Sequence, residues 1–144
     1  MRKRKISRSL KKVKKQTWDV FSIFIRTRDC LKTTGTIEYG LCFTCRKRYH
    51  FNDLQAGHFV AGRGNSVLFD ELGVNAQCKR CNVFLHGDPL IYRRRLVELY
   101  GEGMVQMLED KKYKTKRYSI AELDLLTIHY QEETKLCNNK GEHT

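Results

Sequence analysis

The sequence predicts an α+β fold: a small β unit flanked by an N-terminal and a C-terminal helical segment. Three observations carry that expectation. Two Cys-x-x-Cys pairs, Cys42–Cys45 and Cys78–Cys81, stand 32 residues apart. Between them, short apolar runs broken by glycine read as strand, turn, strand. On both sides, apolar residues recur at helical spacing. A length of 144 residues suits one domain with arms. The expected organisation is a basic, flexible arm at 1–15, a single domain at 16–137 and a frayed tail at 138–144.

The first helix is expected over residues 16–30, where Trp18, Phe21 and Ile25 share a face that Val20 and Phe24 broaden. Residues 31–41 read as a loop with turn glycines. Gln55-Ala-Gly-His-Phe-Val60 reads as a first strand. Ala61-Gly-Arg-Gly-Asn-Ser66 reads as a glycine-rich turn, and Val67-Leu-Phe69 as a second strand. After the second knuckle, Asn82 opens a segment of helical spacing through Val83, Phe84, Leu85 and His86. Asp88 and Pro89 start a further helix, with Asp as cap and Pro in its first turn. It ends near Tyr100, with Leu90, Leu96, Val97 and Tyr100 as core positions. Met104 to Lys111 forms a short helix. Ser119 and Glu122 make a capping box for a last helix over about 120–136.

The chain carries 28 Lys and Arg against 16 Asp and Glu, a formal net charge of +12. Nine of the basic residues (Arg2, Lys3, Arg4, Lys5, Arg8, Lys11, Lys12, Lys14 and Lys15) lie in the first 15 positions, where there is no acid. Such a run repels itself and gains by releasing counterions from a polyanion, so nucleic acid is the expected partner. A solubilising tail is the plainer alternative. Ile6, Leu10 and Val13 are too few for a membrane-surface helix. No stretch approaches the roughly 20 apolar residues of a membrane span, and no apolar segment follows the basic start as in a secretory signal. The expected location is cytoplasmic.

Two thiolate knuckles on tight turns complete a tetrahedral sulfur cage that suits structural Zn²⁺. Disulfides or a redox pair are the alternatives, disfavoured without a secretory signal and with two pairs present. Arg46, Lys47, Arg48, Lys79 and Arg80 would offset the cage's negative charge. Cys30 and Cys137 are left as ordinary half-buried thiols. His50, His129 and His143 are read as structural. Tyr39, Tyr49 and Tyr92 fit either core packing or base stacking. A plain zinc ribbon has roughly 15–20 residues between knuckles, so this pair clamps an extra element.

The order knuckle, two strands, knuckle, helix resembles the zinc-supported HNH nucleases, whose site is a hairpin and a helix gripping one metal ion. Trp18-Asp-Val-Phe-Ser-Ile-Phe-Ile-Arg-Thr-Arg-Asp29, Gln55-Ala-Gly-His-Phe59, Phe69-Asp-Glu71, Gln77-Cys-Lys-Arg-Cys-Asn82 and Tyr92-Arg93 are together similar to the phage recombination proteins of the NinG (Rap) family, over about residues 17–136. The resemblance implies a zinc-bound ββα-metal (HNH-like) module with helical flanks. It also implies a structure-selective DNA endonuclease of phage origin, working in the host bacterium's cytoplasm on branched intermediates such as Holliday junctions.

Phosphodiester hydrolysis needs an activated water, charge relief on phosphorus and a stabilised leaving oxygen. His58 has the ordinary pKa range of a general base. Asn82, directly after Cys81, offers an oxygen to Mg²⁺ or Mn²⁺; the endonuclease VII type of resolvase also has Asn there as a metal ligand. His86, four residues on, could be a second ligand or a phosphate contact. Arg63 could bind the scissile phosphate. Asn75 could orient His58 or face elsewhere, and Asp70 and Glu71 could serve instead.

Many HNH enzymes carry a ligating Asp or His where this chain has Gly57. Gln55-Ala-Gly-His58 is closer to the non-specific nucleases with an Asp-Arg-Gly-His motif, which hold their metal through one Asn and waters. The position where HNH enzymes usually carry their middle Asn is Gly73 here. The expectation is a Mg²⁺- or Mn²⁺-dependent DNA endonuclease leaving a 5′-phosphate, working as a homodimer because junction resolution needs two symmetric cuts. No organic cofactor and no membrane partner are expected. A non-catalytic zinc-ribbon nucleic-acid-binding protein, or a nuclease of linear duplex, are the alternatives.

Overall fold

The computed structural model describes residues 7–142. Arg2, Lys3, Arg4 and Lys5, and His143, lie outside the described residues. The architecture is α+β, with helices around two small antiparallel hairpins.

Helix α1 (Leu10–Thr34) is much longer than its apolar face foretold. Ser9 caps it, its hydroxyl accepting from the Lys12 N–H at 3.2 Å. Gly35, at φ 77°, closes it with its N–H on the Leu31 carbonyl. The expected flexible arm is therefore too long: Lys11, Lys12, Lys14 and Lys15 ride on the first turns of a helix that already buries Val13. Arg8 reaches back in a two-pronged pair with Asp124, at 3.1 and 2.8 Å.

Hairpin β1 (Tyr39–Leu41) with β2 (Arg48–His50) carries the first knuckle. A single 3-10 turn leads into hairpin β3 (Leu54–His58) with β4 (Val74–Cys78), paired from Leu54 opposite Cys78 to His58 opposite Val74. The second strand is thus not at 67–69. Val67 and Leu68 are buried by one turn of helix, α2 (Asn65–Leu68). The Asp70 carboxylate then accepts from the N–H groups of Leu72 and Gly73, turning the chain into β4.

The helix expected at 82–86 is one wide π-type turn, Arg80–Phe84. His86, Gly87 and Asp88 follow at φ 52°, 88° and 50°, which breaks it. Helix α3 (Pro89–Tyr100) starts afresh, with Pro89 in its first turn as expected but with no side-chain cap from Asp88. Leu90 is exposed, and Tyr92 and Leu96 are the buried positions. Helix α4 (Glu102–Asp110) follows. The Ser119–Glu122 capping box forms in both directions, at 3.1 and 2.9 Å, and opens α5 (Ile120–Glu142). Residues 138–142 are its last turn rather than a frayed tail. Gly141 there lies so close to Ile37 that an added Cβ would stand 2.9 Å from it.

The main core lies between α1, α5 and β4: Phe21, Phe24, Ile25, Val74 and Tyr130. Thr17 and Thr127 bond across the helix pair at 2.9 Å. A second core joins Phe43 of the knuckle loop to Tyr92 and Leu96 of α3 and Val105 and Leu108 of α4. No helix among the described residues is long and apolar enough to cross a membrane.

Candidate functional site

The four knuckle sulfurs, of Cys42, Cys45, Cys78 and Cys81, lie within 4.8 Å of one another, with Cys45 and Cys78 at 3.9 Å. Zn–S bonds of about 2.3 Å in a tetrahedron place sulfurs roughly 3.8 Å apart, so the set could hold a metal ion such as zinc. None of the six cysteines is in a disulfide. Burial pushes the Cys81 thiol up to about 12. Four thiolates packed this closely need a dication among them. The Phe43 N–H donates to the Ala76 carbonyl at 2.8 Å, fixing the knuckle to β4.

β3 ends in His58. Its imidazole stacks on Trp18 of α1, with ring centroids 5.0 Å apart. Its Nε2 sits 3.1 Å from the Leu68 carbonyl of α2. A carbonyl only accepts, so Nε2 carries the proton and Nδ1 is the basic nitrogen. Burial lowers the pKa of His58 below its ordinary value; the Leu68 bond opposes this, the charge of Arg63 adds to it, and Asp70 opposes it from a distance. Burial thus favours the neutral ring.

Arg63, at φ 51° in the glycine-rich turn, lays its guanidinium 4.4 Å from the centre of the same indole. Stacking leaves its in-plane N–H donors available for a phosphate. Asn82, in the π-type turn, donates from Nδ2 to Gln55 Oε1 at 2.8 Å. That fixes the amide and leaves Oδ1 as an acceptor, facing Gly57. A Cβ at Gly57 would stand 2.8 Å from Asn82 Oδ1 and would collide with Gln77 Oε1. No larger residue fits, so this site has no ligand from that position.

His58, Arg63, Asn82 and His86 line one cleft of about 330 Å³. His86 belongs to the break after the turn rather than to Asn82's helical face, and it is exposed. Asn75 is not at the cleft. Its amide nitrogen donates to the Leu72 carbonyl (3.0 Å) and Tyr92 Oη (3.1 Å), and its oxygen accepts from Arg28 (3.2 Å). Sitting opposite Gly57, it faces away from the His58 ring and braces the hairpin. Asp70 is engaged with Lys111 and the turn into β4, and does not bond His58.

Three supporting residues escaped the sequence. Tyr92, fully buried, donates from its hydroxyl to the Gly57 carbonyl at 2.8 Å and holds the strand end just before His58. Gln77, also fully buried, donates to Thr44 Oγ1 (3.1 Å) and the Gly87 carbonyl (2.9 Å), tying the hairpin to the knuckle and to the loop after His86. Trp18 read as core because its spacing matches Phe21 and Ile25. Nothing in one chain distinguishes an indole that packs from one that carries a site.

A family model described as Bacteriophage Lambda NinG protein matches residues 1–141. The chain is 26% identical over 130 residues to "Protein ninG" of Escherichia phage 933W, covering 89% of this chain and 60% of that protein. It is 27% identical over 122 residues to "Protein ninG" of Salmonella phage P22, covering 84% and 55%. The chain thus spans a little over half the length of these curated relatives. No solved structure matches.

Proposed function

The chain belongs to the NinG family of phage proteins, and from that premise and the geometry at His58 we propose a metal-dependent DNA endonuclease of the HNH type, acting on branched recombination intermediates. The observation that carries the reading is that the His58 imidazole, Arg63 and Asn82 line one cleft. In this reading the β3–β4 hairpin and the turn after it form the ββα-metal module.

His58 Nδ1 takes the proton of the attacking water. Leu68 and Trp18 hold the ring so that its free nitrogen keeps its direction. Arg63, kept on the indole face, offers its in-plane N–H donors to the scissile phosphate. Asn82 would hold Mg²⁺ or Mn²⁺ through its amide oxygen, and the ion would supply charge relief for the leaving oxygen. His86, on the same cleft, would contact a phosphate or serve as a second ligand. The residues lining the cleft include no carboxylate, and carboxylates are what usually hold Mg²⁺. The donor set therefore fits the ion only together with substrate phosphate oxygens.

Cleavage of four-way junction, flap and linear duplex DNA, with and without Mg²⁺ or Mn²⁺, tests the reading. Metal-dependent cutting that favours branched forms is expected, lost in His58→Ala while folding and DNA binding persist. A wild-type protein that cuts no DNA form with either ion leaves a zinc-knuckle binding protein instead. Equal cutting of linear duplex removes the branch preference. Two symmetric cuts in a junction call for a homodimer, which sedimentation on junction DNA would detect.

A further inference from the structure

The turn between α4 and α5 reads Lys111-Lys-Tyr-Lys-Thr-Lys-Arg117, five cations and no acid. Lys111 pairs with Asp70, and Lys116 lies 3.7 Å from Glu122. Lys112, Lys114 and Arg117 have no ion pair among the described residues, and all three are exposed. Between them Tyr113 holds its ring in solvent, 84% exposed. Unpaired cations around an open aromatic face are the elements of a single-stranded nucleic-acid platform: charge for the phosphates, a ring for a base.

Two further observations tie this turn to the cleft. First, it is held in place by α2. Asn65 donates to the Lys116 carbonyl (3.1 Å), Ser66 donates to the Lys111 carbonyl (2.7 Å), and Tyr118 donates to the Asn65 carbonyl (3.3 Å). The same short helix supplies the Leu68 carbonyl that fixes His58. Lys14 of α1 joins it through Asn65 Oδ1 at 3.2 Å. Second, a groove of about 490 Å³ begins at Phe59, Ala61 and Pro89, which also wall the His58 cleft, and ends at Lys112 and Tyr113. Along it Glu109 is neutralised by Arg93 at 2.9 Å. In its lining Asp110 is the one acid without an ion pair among the described residues, beside the one such cation, Lys112; Lys114 and Arg117 stand exposed on the same turn.

We propose that residues 111–117 form a second DNA-binding surface, which holds an unpaired strand as it leaves the His58 cleft, with Tyr113 stacking on a base and Lys112, Lys114 and Arg117 on its phosphates. The assignment to DNA rests on the endonuclease reading, and it supplies a physical reason for preferring substrates with an unpaired strand, such as a flap, over blunt duplex: the unpaired strand presents a base to Tyr113.

Binding without cutting separates the two claims. Fluorescence anisotropy of a duplex with a single-stranded tail, against the same blunt duplex, is measured over a salt series with no added divalent ion. The Lys112→Gln, Lys114→Gln, Arg117→Gln triple variant should lose about 0.7 per contact from the salt slope on the tail, a total of roughly two. Tyr113→Ala should weaken tailed DNA roughly five- to hundredfold and blunt duplex far less, and Tyr113→Phe should restore it. Unchanged slope and affinity in the triple variant overturns the surface. Equal losses on blunt duplex overturn the unpaired-strand assignment, and tighter binding of the same tail made of RNA overturns the assignment to DNA. A protein that binds as expected but never cuts refutes the nuclease reading and leaves this surface standing.

Discussion

The indole of Trp18 and the imidazole of His58 lie stacked, 5.0 Å between centroids and 21° between planes. Arg63 covers the same indole at 4.4 Å. One residue of α1 therefore holds both the proposed base and the proposed phosphate clamp. Trp18→Ala should lower the cleavage rate about tenfold or more, since aromatic pairing contributes about 0.5–1.5 kcal/mol and the ring also loses its fixed direction. Trp18→Phe should recover most of that rate. The loss should fall in kcat rather than in DNA affinity, measured under single-turnover conditions.

The pH dependence follows from the same burial. Burial disfavours the imidazolium of His58, so its pKa lies below the ordinary 6.5. The base is then fully competent at pH 7 and above, and cleavage should fall only as pH drops through the lowered value. The associated folding stability has the same sign: present above pH 6.5, lost as pH falls through the folded-state value. Trp18 is the only tryptophan, so its fluorescence against pH reads the ring directly. A midpoint above 6.5 would contradict this account.

Gly57 stands where no larger side chain fits. Any Cβ there meets Gln77 Oε1 and Asn82 Oδ1. Gly57→Ala should destabilise the protein by about 1–3 kcal/mol through overpacking and displace the Asn82 amide. Thermal unfolding and cleavage should both show the loss. Gly57→Asp should be worse in both measurements, not a gain of a metal ligand.

The cysteine cluster, the strand that carries His58 and the capping box at Ser119 were legible because each is a fixed spacing of distinctive residues. The α1 boundary was not. Lys11 to Lys15 look like a solvated arm unless one knows that Ser9 caps, Val13 is buried and Asp124 waits for Arg8. β4 was misplaced because Val67, Leu68 and Phe69 have strand composition, while tertiary burial turns them into a helical turn. Asn75 was ambiguous for a similar reason: one step of strand register decides whether a side chain faces a site or the core. The basic turn at 111–117 carries its signal openly in composition, but its links to His58, through α2 and through the walls the two clefts share, exist only in space.

Zinc removal should act on the whole domain. The sulfur cage joins the knuckle loop to β4 and the π-type turn, and Asn82 follows Cys81 directly. Cys78→Ser should lower the melting temperature sharply, because structural zinc contributes folding free energy, about 10 kcal/mol or more in small zinc modules. Chelation of the wild type should do the same, with about one zinc per chain released. A metal-free protein with an unchanged melting curve would exclude the cage as a structural centre.

The basic N-terminus gives the last test, and the structure changes how it should be made. Deleting residues 1–15 would remove the Ser9 cap and Val13, and so would mix a folding defect with a binding defect. Deleting residues 1–7 removes Arg2, Lys3, Arg4 and Lys5 and leaves α1 whole. If these four cations meet phosphate, the slope of log affinity against log salt on duplex DNA should flatten by up to about 3.6, at about 0.9 per contact. The effect should be independent of sequence, with no change in melting temperature. Arg8→Ala should do the opposite, lowering the melting temperature slightly through its lost pair with Asp124 and leaving the slope nearly unchanged. An unaltered slope after removal of residues 1–7 would mean that those charges do not reach the DNA.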